Sequence, residues 1–235
     1  MNEAVRSLAL AAKAASRRLS TFRADAKNDA LEAIAARLEE DAAGILRSNA
    51  ADVSEAEPLV ARGEMAGALL SRLKLDEGKL AGMAEGVRSV GWLEDPSGRV
   101  LARTLLDDGL VLEKVTCPLG VLAVVFEARP DAVTQISALA VKSGNAVILK
   151  GGREAARSTA ALVAAIRAGL AEAGLPEDAV QSVPDRESVD ALLALDDLVD
   201  LVIPRGSNAL VRSIRERTRI PVLGHAEGVC HVYVD

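Results

Sequence analysis

Three polar loops in this sequence carry side chains suited to binding phosphate or carboxylate, and each follows a short apolar run. The first is Lys150-Gly151-Gly152-Arg153-Glu154. Lys150 and Arg153 can pair with a phosphate on a ribose, and glycines at a helix start let backbone N–H groups approach an anion. Glu154 can accept from a ribose hydroxyl or simply favour the helix start. The second loop, Pro204-Arg205-Gly206-Ser207, repeats the arrangement. Gly206 permits close backbone approach, and Ser207 can cap a helix or donate to a phosphate. Taken singly, the first loop also reads as a solvated glycine turn and the second as a plain N-cap. Two such loops at one edge of a parallel sheet favour a shared nucleotide site. The third loop, Glu127-Ala128-Arg129-Pro130, sends an acid and a base out of one buried run. Arg129 can clamp a carboxylate or phosphate with its planar fork, or pair internally with Glu127. A G-x-G-x-x-G fingerprint and a P-loop are both absent, so the ordinary dinucleotide and NTPase readings lose support.

Cys230 invites a nucleophile reading because His231 follows it and His225 lies close by. In a strand, however, successive side chains point to opposite faces, so Cys230 and His231 cannot readily pair. Cys230 reads better as a small buried hydrophobe, and Cys117, before Pro118, has less to recommend it. Two His and two Cys so distributed do not build a metal site of recognised spacing.

The elements that must position these loops follow from periodicity. Residues 1 to about 93 read as helical: Leu8, Ala12, Ala15 and Leu19 mark one stripe, and Leu31, Ile34, Leu38 and Ile45 a second. Leu80, Met83, Val87 and Val90 mark a third after an Asp76 cap. Turn formers at Glu94 to Gly98 then break the pattern, and the runs Val100 to Leu106 and Leu110 to Thr116 around Asp107-Asp108-Gly109 predict a hairpin. From Gly120 strands alternate with helices. Gly120 to Phe126 and Asn145 to Leu149 are strands covered on both faces, joined by a crossover helix marked by Val133, Ile136, Leu139 and Ala140. Ala155 to Ala173 and Glu187 to Leu195 read as helices, Val180 to Val183 and Leu198 to Ile203 as strands. A helix is expected over Asn208 to Arg217, with further strands at Pro221 to Leu223 and Val229 to Val234.

The fold class is therefore α/β: an N-terminal helical layer (1–95), a protruding β-hairpin (96–118) suited to oligomerisation, and a doubly wound, mostly parallel Rossmann-like sheet (119–235). The chain ends on Cys230 to Asp235, which reads as a strand in progress, so a further C-terminal part is expected. Composition limits the partners. A net charge of −6 and 2% aromatic residues argue against a nucleic-acid partner and against stacking platforms for single strands or sugars. No run approaches the length of a membrane span. Two cysteines without a secretory signal suggest a reducing compartment, so a cytoplasmic location is expected.

The segment Leu110 to Pro118 followed by GVLAVVFEARPD, then KSGNAVILKGGREAARS, IPRGS and GHAEGVCHVYVD, closely resembles the gamma-glutamyl phosphate reductases. These are also called glutamate-5-semialdehyde dehydrogenases and belong to the aldehyde dehydrogenase superfamily. The likeness extends from the first helix through SRLKLDEGKLAGMAEGVRSV to the last residue. It implies an NADPH-dependent reduction of L-glutamate 5-phosphate to L-glutamate 5-semialdehyde and phosphate in proline biosynthesis. The cofactor would be NADP(H), and the route a cysteine thioester that divides one hard displacement into two easier steps.

Carried over by position, Lys150, Gly151, Gly152 and Glu154 resemble the adenosine-side loop, with Arg153 an added cation. Arg205, Gly206 and Ser207 resemble the loop near the pyrophosphate, and Glu127 and Arg129 the substrate-side edge. Ala128 stands where the superfamily places an oxyanion-donating asparagine, and Asp131 where an asparagine is common in the reductases. The resemblance places the catalytic cysteine in a later segment, on a catalytic domain expected beyond Asp235, so no catalytic residue is assigned here. Expected partners are the small-molecule substrate, further copies of the complete enzyme, and the glutamate kinase of the preceding step. A nucleotide-binding or interaction module without turnover, and another aldehyde or acyl-phosphate dehydrogenase, are the alternatives.

Overall fold

The apolar stripes before residue 92 fold into five helices: α1 (Glu3–Leu19), α2 (Ala24–Glu40), α3 (Ala42–Ala61), α4 (Gly67–Leu73) and α5 (Glu77–Gly91). The computed structural model describes residues 3–127, 129–224 and 232–233. Leu31, Ile34, Leu38 and Ile45 are all buried, as are Leu80, Met83 and Val87. Asp76 caps α5 by accepting from the Lys79 N–H at 2.7 Å. The hairpin comprises β1 (Val100–Asp107) and β2 (Leu110–Val115), antiparallel, with every residue of both strands exposed.

The remainder alternates strand and helix: β3 (Val121–Phe126), α6 (Pro130–Lys142), β4 (Ala146–Lys150), α7 (Ala156–Glu172), β5 (Val180–Ser182), α8 (Arg186–Leu192), β6 (Leu201–Arg205) and α9 (Asn208–Arg217). The four strands form one parallel sheet in the order β5-β4-β3-β6. β3 is buried along its whole length, as a central strand covered on both faces must be. The chain steps from β3 to β4 to β5, then returns across the sheet to place β6 on the other side of β3. Right-handed crossovers therefore put α6 and α7 on one face and α8 on the other.

Several expectations are corrected. The helical layer is split, because α1 packs on β3, β4, β5 and α8 while α2 packs on α6 and α7 on the opposite side. The Ala-rich helix starts one residue late, after a 3-10 turn at Arg153–Ala155. The eighth helix ends at Leu192, and Leu198 and Val199 lie in a turn in which both N–H groups donate to the Leu195 carbonyl. Their burial, 7% and 2% exposed, explains the apolar run without a strand. On α6 the buried residues include Val133, Thr134, Ser137, Ala138, Ala140 and Val141, whereas Leu139 faces outward. The strand expected at Pro221 to Leu223 is a single bridge of Val222 to Val202. Most of the run Val229 to Val234, with Cys230, lies outside the described residues.

Lys142, which ends α6, is buried, and its ammonium donates to Asn28 Oδ1 at 2.6 Å and to the Gly91 carbonyl at 2.7 Å. Burial is the main cause holding its pKa below the ordinary lysine value. The end of α6 is thereby tied to α2 and α5, which fixes where its other end meets the sheet edge.

Candidate functional site

Parallel strands place all the following loops at one edge, and register sets how closely they meet. Val125 stands opposite Lys150 on β4 and Pro204 on β6, and Phe126 opposite Arg205. Lys150 and Arg205 therefore emerge on either side of the β3 terminus, with Arg205 one residue further along. The strand order reverses between β3 and β6, which makes the crevice there the topological switch point. A Cβ at Gly206 would come within 3.0 Å of Glu127 Oε1 and 2.9 Å of Leu210 Cδ2, so glycine lets the β6 loop lie under the β3 loop. Glu154 folds its carboxylate back over Gly152.

Beside this crevice, α8 and α9 enclose a slot of about 410 Å³ lined by Val125, Lys150, Arg186, Val189, Leu210 and Ile214, among others. Its walls are aliphatic, whereas Lys150 and Arg186 add cations, and the Arg217–Asp190 ion pair ties α9 to α8. No carboxylate among the described residues lies within 4 Å of Lys150 or Arg186. Asp185 caps α8 by accepting from the Ser188 N–H at 2.7 Å. That hydrogen bond is the chief cause holding its carboxyl below the ordinary value of 3.8, with the Lys150 charge adding to it. An apolar slot with cations and phosphate-compatible loops next to it fits the base, ribose and phosphates of a dinucleotide.

The two helix starts at this edge differ. Beyond the 3-10 turn at Arg153–Ala155, the N–H groups at the start of α7 itself are bound within the chain. The buried Asp52 of α3 accepts from Ser158 N at 2.8 Å, Ser158 Oγ at 2.7 Å and Arg157 N at 3.3 Å. The positive end of that helix is neutralised by the chain itself. At α9 no such carboxylate intervenes among the described residues. Ser207 Oγ accepts from Leu210 N at 3.3 Å, while the N–H groups of Asn208 and Ala209 have no acceptor among the described residues. The Ser207 hydroxyl proton remains available to donate. Of the two loops, the second has the open anion-binding end.

Arg129 bonds to Asp131 at 3.3 Å rather than to Glu127, so the internal Glu127–Arg129 pair is not formed. Glu127, Arg129, Arg205 and Gly206 line one cleft of about 300 Å³ together with Arg72 of α4 and Leu139 of α6. The exposure of Leu139 is thus explained: it walls a cleft. Arg153 is exposed and does not line the slot. Cys117 is exposed near the opposite, N-terminal end of β3. Cys230, His225, His231 and Ala128 lie outside the described residues.

Arg186, Val189, Leu210 and Ile214 were not legible in the sequence, because the slot forms only where α8 and α9, on either side of β6, pack beside the sheet. Sequence reasoning also missed Arg72, whose cleft is closed only by tertiary packing, and Asp52, whose partners stand over a hundred residues away. No group of three or more potential metal ligands occurs among the described residues.

The sequence pattern of the aldehyde dehydrogenase family matches residues 1–223. A gamma-glutamyl phosphate reductase of Cyanothece is 57% identical over 228 residues, covering 97% of this chain and 52% of that protein. One from a Synechococcus strain is 54% identical, with 95% and 50% covered. The chain spans about half the length of the curated relatives it matches. Among solved structures, the gamma-glutamyl phosphate reductase of Thermotoga maritima superposes with a TM-score of 0.88 at 33% identity, over 93% of this chain and 52% of that one. The enzyme of the same name from Saccharomyces cerevisiae gives 0.86 at 41%, over 95% and 56%. A probable aldehyde dehydrogenase from Listeria monocytogenes shares the fold at 17% identity, with a TM-score of 0.71. With the family pattern running through the helical layer, the hairpin and the sheet alike, this chain belongs to the aldehyde dehydrogenase family.

Proposed function

We propose that this chain forms the cofactor-binding half of an enzyme that reduces L-glutamate 5-phosphate to L-glutamate 5-semialdehyde and phosphate, with NADPH as the reductant. The observation that carries this reading is the joining of the α8–α9 slot and the open start of α9 at one sheet edge, in a chain more than half identical to proteins named gamma-glutamyl phosphate reductase. The dinucleotide would supply the hydride. Val189, Leu210 and Ile214 would enclose its base, Lys150 and Arg186 its ribose phosphate, and Asn208 N, Ala209 N and Ser207 its pyrophosphate. Arg153 and Glu154 stand outside the slot, at the ribose side of the edge. Glu127, reaching across Gly206, would flank the reacting end of the crevice. Cys117 opens at the wrong end of the sheet for nucleophilic attack, and from the resemblance to the reductases we infer that the attacking thiol comes from sequence outside this chain. The hairpin, exposed on both faces, would pair with another copy in the assembled enzyme.

Equilibrium binding tests the cofactor assignment. NADPH is expected to bind one to one, about tenfold more tightly than NADH, because Lys150 and Arg186 can pair with the extra phosphate. Equal affinity for the two would contradict the NADPH preference, and no binding of either would contradict the cofactor site.

A further inference from the structure

The cleft beneath Glu127 neighbours a second cavity of about 450 Å³ between α5 and α6, and the two share the lining residues Arg72, Arg129 and Gln135. In a chain of net charge −6, the two cavities together are lined by Arg72, Lys79, Arg129 and Arg205 against two carboxylates, Glu127 and Asp131. The two ends of this pair differ. Glu127, Arg205 and Gly206 stand at the switch-point crevice, whereas Arg72, Arg129 and Asp131 stand on the side toward α5.

The far end has an arrangement that the reduction step does not require. Arg72 makes no hydrogen bond or ion pair among the described residues. Arg129 spends a single 3.3 Å contact on Asp131 and keeps its remaining donors. Two guanidinium groups beside one carboxylate complement a zwitterion: the arginines match a carboxylate, and the aspartate matches an ammonium.

We propose that Arg72, Arg129 and Asp131 form the subsite for the α-amino-acid head of the substrate, the arginines taking its carboxylate and Asp131 its ammonium. The assignment rests on the reading that a glutamyl substrate presents its acyl end at the β3–β6 crevice. It makes Arg72 a specificity residue that admits an amino-acid acyl group and disfavours simple aliphatic aldehydes. Removing either charge from such a substrate leaves its partner without a counterpart.

Calorimetric titration of this chain in the presence of NADPH tests it with three stable probes. L-Glutamine carries the full head and a neutral amide in place of the acyl phosphate. 4-Aminobutanamide lacks the carboxylate, and glutaramate lacks the ammonium. L-Glutamine is expected to bind saturably at millimolar concentration, about tenfold more tightly than either analogue. Arg72→Gln should reduce L-glutamine affinity about tenfold and leave 4-aminobutanamide unchanged, whereas Asp131→Ala, which removes the acceptor oxygens altogether, should lower L-glutamine toward the glutaramate value. The comparison of probes on the unaltered chain stands even if a variant fails to fold. Equal binding of the three probes, no binding of any while NADPH binds normally, or an Arg72→Gln chain that keeps its L-glutamine affinity would overturn the subsite and leave the cofactor assignment intact. Loss of NADPH binding itself would instead count against the cofactor site.

Discussion

At the scale of single residues, the edge of the sheet is organised as much by what the chain does to itself as by what it leaves open. Asp52 shows this. Its carboxylate lies 4% exposed and accepts three hydrogen bonds from the start of α7. Asp52→Ala would leave the Ser158 N–H and hydroxyl buried without their acceptor, at a cost of about 2–3 kcal/mol. Urea denaturation should report that loss, and a variant within about 0.5 kcal/mol of the parent would contradict the role. The residue types at Lys150, Gly206 and Ser207 were legible in the sequence, since each chemistry follows from a strand, a glycine and a helix start. Which of the two helix starts stays open was not, because Asp52 reaches α7 from an element that local pattern cannot connect to it.

At the scale of elements, periodicity identified most of the helices and strands but not their outward faces. The spacing of Val133, Ile136, Leu139 and Ala140 marks a helix correctly, yet Leu139 points to the cleft because α6 buries its small residues against its neighbours. Small residues also set how closely the helices pack. A Cβ at Gly169 of α7 would come within 2.7 Å of the Ile34 backbone of α2, so the two helices meet there with no room for a methyl group. Gly169→Ala should force them apart and lower stability by about 1–3 kcal/mol, although alanine is the better helix former. Denaturant unfolding measures the sign, and a stabilised variant would show that α2 and α7 do not meet as described. The early end of α8 and the late start of β6 were illegible for a related reason: a buried apolar turn at Leu198-Val199 and a strand start share one hydrophobic signature.

At the scale of the whole molecule, two surfaces are left exposed. The hairpin exposes Leu101, Leu105, Leu106, Leu110, Val111 and Leu112, and a two-stranded hairpin without a covered face is marginal in water. We expect self-association through it. Light scattering at tens of micromolar should give a dimer or larger species, and Leu105→Glu with Leu112→Glu should shift it toward monomer; a monomeric parent would contradict this reading. The other surface is the sheet edge, where we propose that the start of α9, rather than that of α7, receives the cofactor phosphates. A crystal structure of the chain with NADPH tests it most directly. The account predicts the base between α8 and α9 and the pyrophosphate against the Asn208 and Ala209 N–H groups, with the Asp52–Ser158 contacts intact. A pyrophosphate at the start of α7 with Asp52 displaced, or a cofactor bound away from this edge, would contradict it.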